Sequence, residues 1–288
     1  MTNCDTEANV HMPTLCRYTA YPLIFGGATT AILVLGPRDF WPAVPLVVAV
    51  ALLSVALLER VQPYRRAWNQ DHGDTMTDVV HNIVNLALMA AAVTGLALLD
   101  ESRGSLRGWP DSWPIGLQVL LAGTVLDVSL YAMHRLSHHA RPLWRLHTPH
   151  HSPRRLYFLN GERRHPLSAV VLAAPGLAIL AALGAEPLAV QLWFAVLTVH
   201  LAFQHANIDY SLGPFAGLLG VAETHRWHHL RALETSQVNF GEFWMLWDHL
   251  GGTYHGGTEA DDEVGLRRND VPPEYLAQLS YPFRTTSG

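Results

Sequence analysis

The stretch IGLQVLLAGTVLDVSLYAMHRLSHH, residues 115–139, joins a long apolar run to three histidines. As a helix, its apolar part (115–133) is long enough to cross most of the roughly 30 Å of hydrocarbon in a bilayer. Asp127, Tyr131, His134 and His138 then lie on one helical face. A polar stripe that enters a bilayer is costly unless it faces the interior of a helix bundle. The stretch therefore predicts a membrane helix that carries a polar site inward from one membrane face.

The rest of the chain fits an all-α integral membrane protein. Its 288 residues are 49% hydrophobic and 15% charged, which is too little charge for a typical soluble domain. Tight turns are predicted at Gly36-Pro37-Arg38 and at Gly184-Ala185-Glu186-Pro187, so the flanking runs should pair as two helical hairpins. The apolar runs that could span the membrane cover residues 20–35, 43–58, 79–99, 115–133, 167–183 and 188–203.

The arginines predict the orientation of this bundle. One side holds only Arg38, Arg103 and Arg107, and by the positive-inside rule the opposite, histidine-bearing side is cytosolic. All 19 basic residues are arginine, which indicates a bacterial source and hence the inner membrane. The net charge of -5 argues against nucleic acid as a partner. The arginines of the histidine-bearing side are Arg17, Arg60, Arg65, Arg66, Arg135, Arg141, Arg145, Arg154, Arg155, Arg163 and Arg164.

We expect a single membrane-embedded domain built from successive segments. An N-terminal tail (1–18) precedes four apolar spans (19–133), and a histidine-rich cytosolic segment follows (134–165). The remaining segments are a helical hairpin (166–204), a second histidine-rich cap (205–255) and a peripheral C-terminal tail (256–288).

Histidines dominate the polar part of the chain, which has 17 of them. Residues three and four apart share a helical face, so each of three clusters should present two or three imidazoles in one direction, a spacing that suits metal chelation. A single zinc site needs three or four ligands, so these clusters imply two ions, and imidazole suits zinc, copper, iron and nickel alike. The clusters are His134-Arg-Leu-Ser-His138-His139, His147-Thr-Pro-His150-His151 and His225-Arg-Trp-His228-His229.

Carboxylates could orient the histidines and offset the charge of the ions. Asp127, Glu223 and Asp248 are the main candidates, and Glu162, Asp209 and Glu242 are also available. We expect the remaining histidines to be bystanders at the membrane interface, namely His11, His72, His81, His139, His249 and His255.

In order and spacing, these motifs resemble the fatty acid hydroxylase and sterol desaturase superfamily of membrane diiron enzymes, over about residues 59–254. The resemblance implies a four-helix transmembrane core under a cytosolic cap that holds two iron ions. The motifs that carry it, besides the clusters, are Arg164-His165-Pro166, Phe203-Gln-His205-Ala-Asn207, Asn239-Phe-Gly241 and Trp247-Asp248.

The resemblance also implies the ligands. The tenth is assigned to His165, with His200 as the alternative, because five residues separate His200 from His205 and place the two about 140° apart on a straight helix. The other nine are His134, His138, His147, His150, His151, His205, His225, His228 and His229.

The implied activity uses O2 and two external electrons to hydroxylate, or desaturate, an unactivated C–H bond of a lipid-like substrate. An apolar channel between the spans would admit this lipid from the bilayer. Aromatic residues that could line the channel are Trp144, Phe158, Trp193, Phe194, Trp227 and Trp244.

The electrons should come from a separate ferredoxin or similar reductase. The sequence has no haem-type His-Pro-Gly-Gly segment, no cysteine set for an iron–sulfur cluster and no Gly-x-Gly-x-x-Gly loop. The arginine-rich side could dock an acidic partner.

The alternative function is a zinc-dependent membrane hydrolase or a metal transporter. A hydrolase leaves at least five clustered histidines unexplained, and a transporter predicts ionisable residues deep in several spans.

Overall fold

The computed structural model describes residues 14–102, 108–257 and 263–284. Arg103, Arg107 and His11, with most of the predicted N-terminal tail, lie outside the described residues. In the described part the protein is built from α-helices and short 3-10 turns. The α-helices are α1 (Thr14–Leu35), α2 (Phe40–Val61), α3 (Thr75–Ser102), α4 (Ile115–His139), α5 (Arg141–His151), α6 (Pro166–Leu183), α7 (Pro187–His205), α8 (Ala222–His228), α9 (Leu233–Ser236), α10 (Leu246–Gly251) and α11 (Tyr275–Ser280).

Six of these helices, α1 to α4, α6 and α7, are long and apolar enough to cross a membrane. This confirms the predicted all-α fold with six apolar spans. The first helix is longer than the predicted run of residues 20–35 because polar residues extend it, and Arg17 within that extension forms an ion pair with Asp209 at 3.3 Å. Large apolar side chains such as Leu23, Leu53 and Leu86 remain exposed, as expected of a surface that faces lipid.

Helices α4 and α7 form the centre of the bundle. Within their apolar windows 50% and 78% of the residues are buried, against 22% or less in the other four spans. A glycine allows them to approach closely: a Cβ atom on Gly123 of α4 would lie 2.3 Å from the Trp193 ring of α7. The polar stripe of α4 thus faces the bundle interior, as predicted.

The prediction that α6 and α7 pack against each other as the second hairpin is wrong. Gly184, with φ of +69°, ends α6, and Glu186 caps α7, so the connecting turn is tight as expected. Helix α6 nevertheless packs chiefly on α4. The reason is a close contact in which the amide of Gly176 donates to the Ser129 hydroxyl at 2.9 Å.

Beyond the spans, the described residues 140–165, 206–257 and 263–284 form a layer that we call the cap. Glu59 of α2 anchors two of its segments, because one carboxylate oxygen accepts from the amides of Phe158 and Asn207, both at 2.8 Å. The C-terminal tail was expected to be peripheral, yet Gln278 is buried and bonds to Nε2 of His81 at 2.9 Å. The cap therefore includes this tail.

Candidate metal centre

Nine histidines converge where α4 and α7 meet the cap. Their ring nitrogens form two sets, and within each set the candidate ligand atoms lie within 4.8 Å of one another. The sets adjoin, since the rings of His151 and His229 stack with centroids 4.5 Å apart. We call His134, His138, His147, His151 and His228 the first histidine group, and His150, His205, His225 and His229 the second histidine group.

The structure divides two of the three sequence clusters between these groups, so the expectation that each cluster points in one direction is wrong for them. His147 and His151 belong to the first histidine group, whereas His150 belongs to the second. Likewise, His225 and His229 belong to the second group and His228 to the first. In each of these two clusters, the histidines four residues apart belong to the same group. The histidine three residues after the first one belongs to the other group. One short helix thus serves both groups.

Hydrogen bonds alone cannot satisfy all the ring nitrogens of the second group. Nε2 of His205 lies 3.1 Å from that of His225 and 3.3 Å from that of His229, and the last two lie 3.0 Å apart. A ring nitrogen either donates or accepts, so three nitrogens in mutual contact cannot all be paired. Nitrogens bound to one ion at about 2.1 Å and at right angles would lie about 3.0 Å apart. A shared cation therefore fits this group.

The first group also contains ring nitrogens whose hydrogen-bonding capacity is not satisfied within the described residues. Among the residues that the structure describes, Nε2 of His134, His138 and His228 are buried with no hydrogen-bond partner. Buried polar atoms without partners are costly in a folded protein, and metal coordination would satisfy them. The donor set in both groups fits a metal that accepts imidazole ligands.

Backbone carbonyls fix two rings of the first group. Nδ1 of His134 donates to the carbonyl of Phe240 at 2.8 Å, and Nδ1 of His228 donates to that of Val238 at 2.9 Å. Between these two carbonyls, Asn239 adopts a φ of 54°, the left-handed conformation that asparagine tolerates better than most residues. Sequence reasoning noted the Asn239-Phe-Gly241 motif but missed this role, because a carbonyl acceptor leaves no side-chain signal.

The three main carboxylate candidates do not contact the histidine rings. Asp248 accepts from the amides of Phe240 and Gly241, at 2.8 and 2.7 Å. Asp127 accepts from the amides of Phe243 and Trp244 and from the Trp247 indole. These two carboxylates hold the loop that presents the Phe240 carbonyl. Glu223 instead accepts from the Ser211 hydroxyl and the Leu212 amide.

The other three carboxylate candidates differ in where they lie relative to the histidine groups. Glu242 approaches the first histidine group, with its carboxylate 3.7 Å from Nδ1 of His134, and it also accepts from the Arg164 guanidinium at 2.8 Å. Asp209 pairs with Arg17, away from the groups. Glu162 lines a cavity.

Burial determines the charge state of the histidines in the cap. It lowers the pKa of His147, His150, His151, His225, His228 and His229 well below the ordinary value, and neighbouring histidines lower it further for most of them. Neutral imidazole is the form that binds metal, so the cap keeps its histidines in the state that coordination requires.

The structure brings neither candidate for a tenth ligand into the two groups. Nδ1 of His165 accepts from the Leu167 amide and its Nε2 donates to the Leu279 carbonyl, both at 3.1 Å. His200 accepts from the Tyr21 hydroxyl at 2.8 Å and donates to the Glu242 carbonyl at 3.1 Å. Both rings use both nitrogens in the fold.

The expected bystanders that the structure describes also lie outside the groups. His81 is buried and bonds through Nδ1 to the Arg164 carbonyl at 3.0 Å. His249 bonds to the Gly217 carbonyl, and His255 packs on Trp227. His72 is exposed.

A cavity of about 190 Å³ lies between α3, α6 and α7, and its lining includes Leu201, one helical turn before His205 of the second histidine group. Its walls are mostly apolar, and Asn85, Glu162 and Arg164 form a polar end. Of the six aromatic residues expected to line a channel, Phe194 is the one found here. The rest of the lining comes from leucine, alanine, valine, methionine and threonine side chains of the spans.

The fold and this site define a multi-pass membrane protein with buried histidine groups able to bind metal. Residues 119–253 match the family model for fatty acid hydroxylase. The chain is 34% identical to ornithine lipid hydroxylase OlsE from Rhizobium tropici, with 80% of this chain and 72% of that protein covered. The chain belongs to the fatty acid hydroxylase family and is an oxidoreductase.

More distant relatives match over about half of the chain. Alkylglycerol monooxygenase from Danio rerio is 26% identical over 51% of this chain, and methylsterol monooxygenase 1 from Rattus norvegicus is 25% identical over 49%. The match spans only 31% and 48% of the lengths of these two proteins. No solved structure matches the chain.

Proposed function

We propose that the chain is an O2-dependent membrane hydroxylase that holds two iron ions in its two histidine groups and oxidises a C–H bond of a polar lipid. One turnover inserts one oxygen atom of O2 into the C–H bond, and two electrons and two protons reduce the other oxygen atom to water. The contact among Nε2 of His205, His225 and His229 carries the proposal, because a shared cation satisfies all three nitrogens.

The nine grouped histidines would hold the ions, and the bound irons would supply the activation of O2 and the cleavage of the C–H bond. The chain itself positions the ligands and the substrate. Asp127 and Asp248 hold the loop at residues 240–244, and this loop orients His134. We assign no metal-binding role to His165 or His200, since both rings use both nitrogens in the fold.

The cavity beside the second histidine group supports a lipid substrate. Val170 lines it and is 48% exposed on the outer face of the bundle, so the cavity reaches the surface that meets lipid. Its polar end approaches the second histidine group, since Gly161 directly precedes the lining residue Glu162 and a Cβ atom on Gly161 would lie 2.9 Å from Nδ1 of His205. Because one relative is named ornithine lipid hydroxylase, ornithine lipid is the first substrate to assay.

A separate acidic protein would supply the electrons on the cytosolic side. A second cavity, of about 510 Å³, lies between the cap and residues 65–72, and its charged lining consists of Glu263 with Arg65, Arg154, Arg231 and Arg267. Arg231 pairs with Glu263, and Arg267 pairs with Glu234. Arg231 is two residues from His229 and Arg154 is three residues from His151, so the chain spans at most about 11 Å between this surface and both groups. Opposite charge would steer the donor to this surface.

Metal analysis after anaerobic purification, followed by turnover with a surrogate ferredoxin and reductase, tests the proposed function. We expect about two irons per chain and an O2-dependent gain of one oxygen atom in the lipid by mass spectrometry. Zinc in place of iron, with no O2-dependent product from any lipid, would instead favour a hydrolase.

A further inference from the structure

The polar end of the substrate cavity is the least expected feature beside the metal centre. Its walls are apolar side chains of α3, α6 and α7, and at the end near His205 the lining changes to Asn85, Glu162 and Arg164. A polar end in an apolar pocket fixes the orientation of a ligand. The question is which chemical group this end accepts.

Two of the three residues offer hydrogen-bond acceptors. The Nδ2 amide of Asn85 donates to the carbonyls of Glu162 and Arg164, at 2.8 and 3.2 Å, which fixes the amide and leaves Oδ1 buried with no partner among the described residues. The Glu162 carboxylate, whose oxygens are also acceptors, lines the same cavity. A donor group of a ligand at this end would satisfy the Asn85 oxygen.

The charge of Arg164 is already paired. Its Nη2 donates to Glu242 at 2.8 Å and its Nε to the Gly161 carbonyl at 3.2 Å. One guanidinium thus lies among two carboxylates, and it forms its ion pair with Glu242. Burial raises the pKa of the Glu162 carboxyl, and only the charge of Arg164 opposes this. A cation next to Glu162 would complete the charge balance.

We propose that the Glu162 carboxylate and the Asn85 amide oxygen bind a primary ammonium group of the substrate, and so hold the adjoining C–H bonds beside the second histidine group. This inference rests on the proposed lipid hydroxylase function. It assigns the oxidised carbon to the headgroup region of the lipid, with the hydrocarbon chain running between α3 and α6. Glu162 follows Phe158 in a short 3-10 helix of the cap, at the end of the bundle that bears the histidines, where a headgroup would lie.

Equilibrium binding of simple probes tests the proposal without turnover. The iron-loaded protein in phosphatidylcholine nanodiscs is titrated with hexadecylamine and with hexadecanol, and the signal from empty nanodiscs is subtracted. The wild type should bind the amine at least roughly tenfold more tightly, because a hydrogen bond to a charged group is stronger than one between neutral groups. Glu162→Gln should remove most of this preference while iron content and hexadecanol binding stay unchanged.

The matched control is Glu274→Gln, an exposed carboxylate of the cap outside the cavity. It should keep the preference for the amine. Equal binding of the two probes by the wild type, or an unchanged preference in Glu162→Gln, would overturn the proposal. Loss of iron in Glu162→Gln would overturn it too, since the carboxylate would then act on the metal centre. The assay needs neither O2 nor a reductant, so failure of the oxygenase function would be seen separately, as absence of product.

Discussion

The Nδ1–H group of His134 donates a hydrogen bond to the carbonyl oxygen of Phe240 at 2.8 Å. The proton is thereby fixed on Nδ1, which leaves the lone pair on Nε2, a buried atom with no other partner among the described residues. The bond connects the end of α4 to a cap loop held by Asp248. The candidate metal centre is therefore organised by the backbone of this loop as well as by the histidines.

Asn239→Ala should weaken metal binding because it disturbs this loop. Asn239 has a φ of 54°, and its side chain donates to the carbonyls of Thr224 and His255. Alanine strains the left-handed backbone by about 1–2 kcal/mol, whereas Asn239→Gly keeps the backbone and loses only the side-chain bonds. We expect less iron per chain and a lower Tm in the alanine variant than in the glycine variant. Equal iron content in the two variants would show that the backbone conformation is irrelevant.

His147→Ala and His205→Ala should each deplete one ion, since the two residues belong to different histidine groups. Iron per chain, measured by elemental analysis, should fall from about two toward one in each variant, and activity should be lost while membrane insertion remains. His72→Ala is the control, because His72 is exposed and belongs to neither group. If His205→Ala kept about two irons per chain, then α7 would not contribute a ligand to the metal site.

His165→Ala should keep its iron and lose stability. Nδ1 of His165 caps α6 by accepting from the Leu167 amide, and loss of such a cap costs about 1 kcal/mol. A lower Tm with unchanged metal content is the expected result, and His200→Ala should behave alike through loss of its bond to Tyr21. If either variant lost an iron, that histidine would be the tenth ligand.

Gly123→Ala should destabilise the bundle by about 1–3 kcal/mol, because the new methyl group collides with the Trp193 ring. Gly116→Ala on the same helix is the matched control, since a Cβ atom there has no neighbour within 4 Å. The control should be neutral or slightly stabilising through its higher helix propensity. Thermal unfolding in detergent measures both. A Tm as high for Gly123→Ala as for the control would contradict the close packing of α4 on α7.

Arg154→Glu should raise the KM for an acidic ferredoxin several-fold at low salt, because the charge reversal opposes docking at the cap. The difference should shrink as salt screens the charges. Arg38→Glu, an exposed arginine at the other end of the bundle, should leave the KM unchanged. Equal effects of the two changes would mean that the donor does not use the arginine-lined cavity. Arg155, Arg163 and Arg164 are unsuitable for this test, since all three are buried.

The sequence determined the membrane fold and the identity of the clustered histidines. Long apolar runs must form helices in lipid, since each backbone polar group has to be bonded within its own segment. The inward stripe on α4 followed from helical periodicity alone. These properties are local, so they can be read from residue spacing.

Only the tertiary structure decided how the site is assembled. His150 and His228 leave their own clusters because each group is completed by residues from several helices. Contacts between segments far apart in the chain decide the partners of His165 and His200 and bring the Phe240 carbonyl to His134. They also place Glu162 in the lining of the cavity. Spacing along a helix fixes which side chains share a face, whereas the packing of other helices against that face decides what each side chain meets.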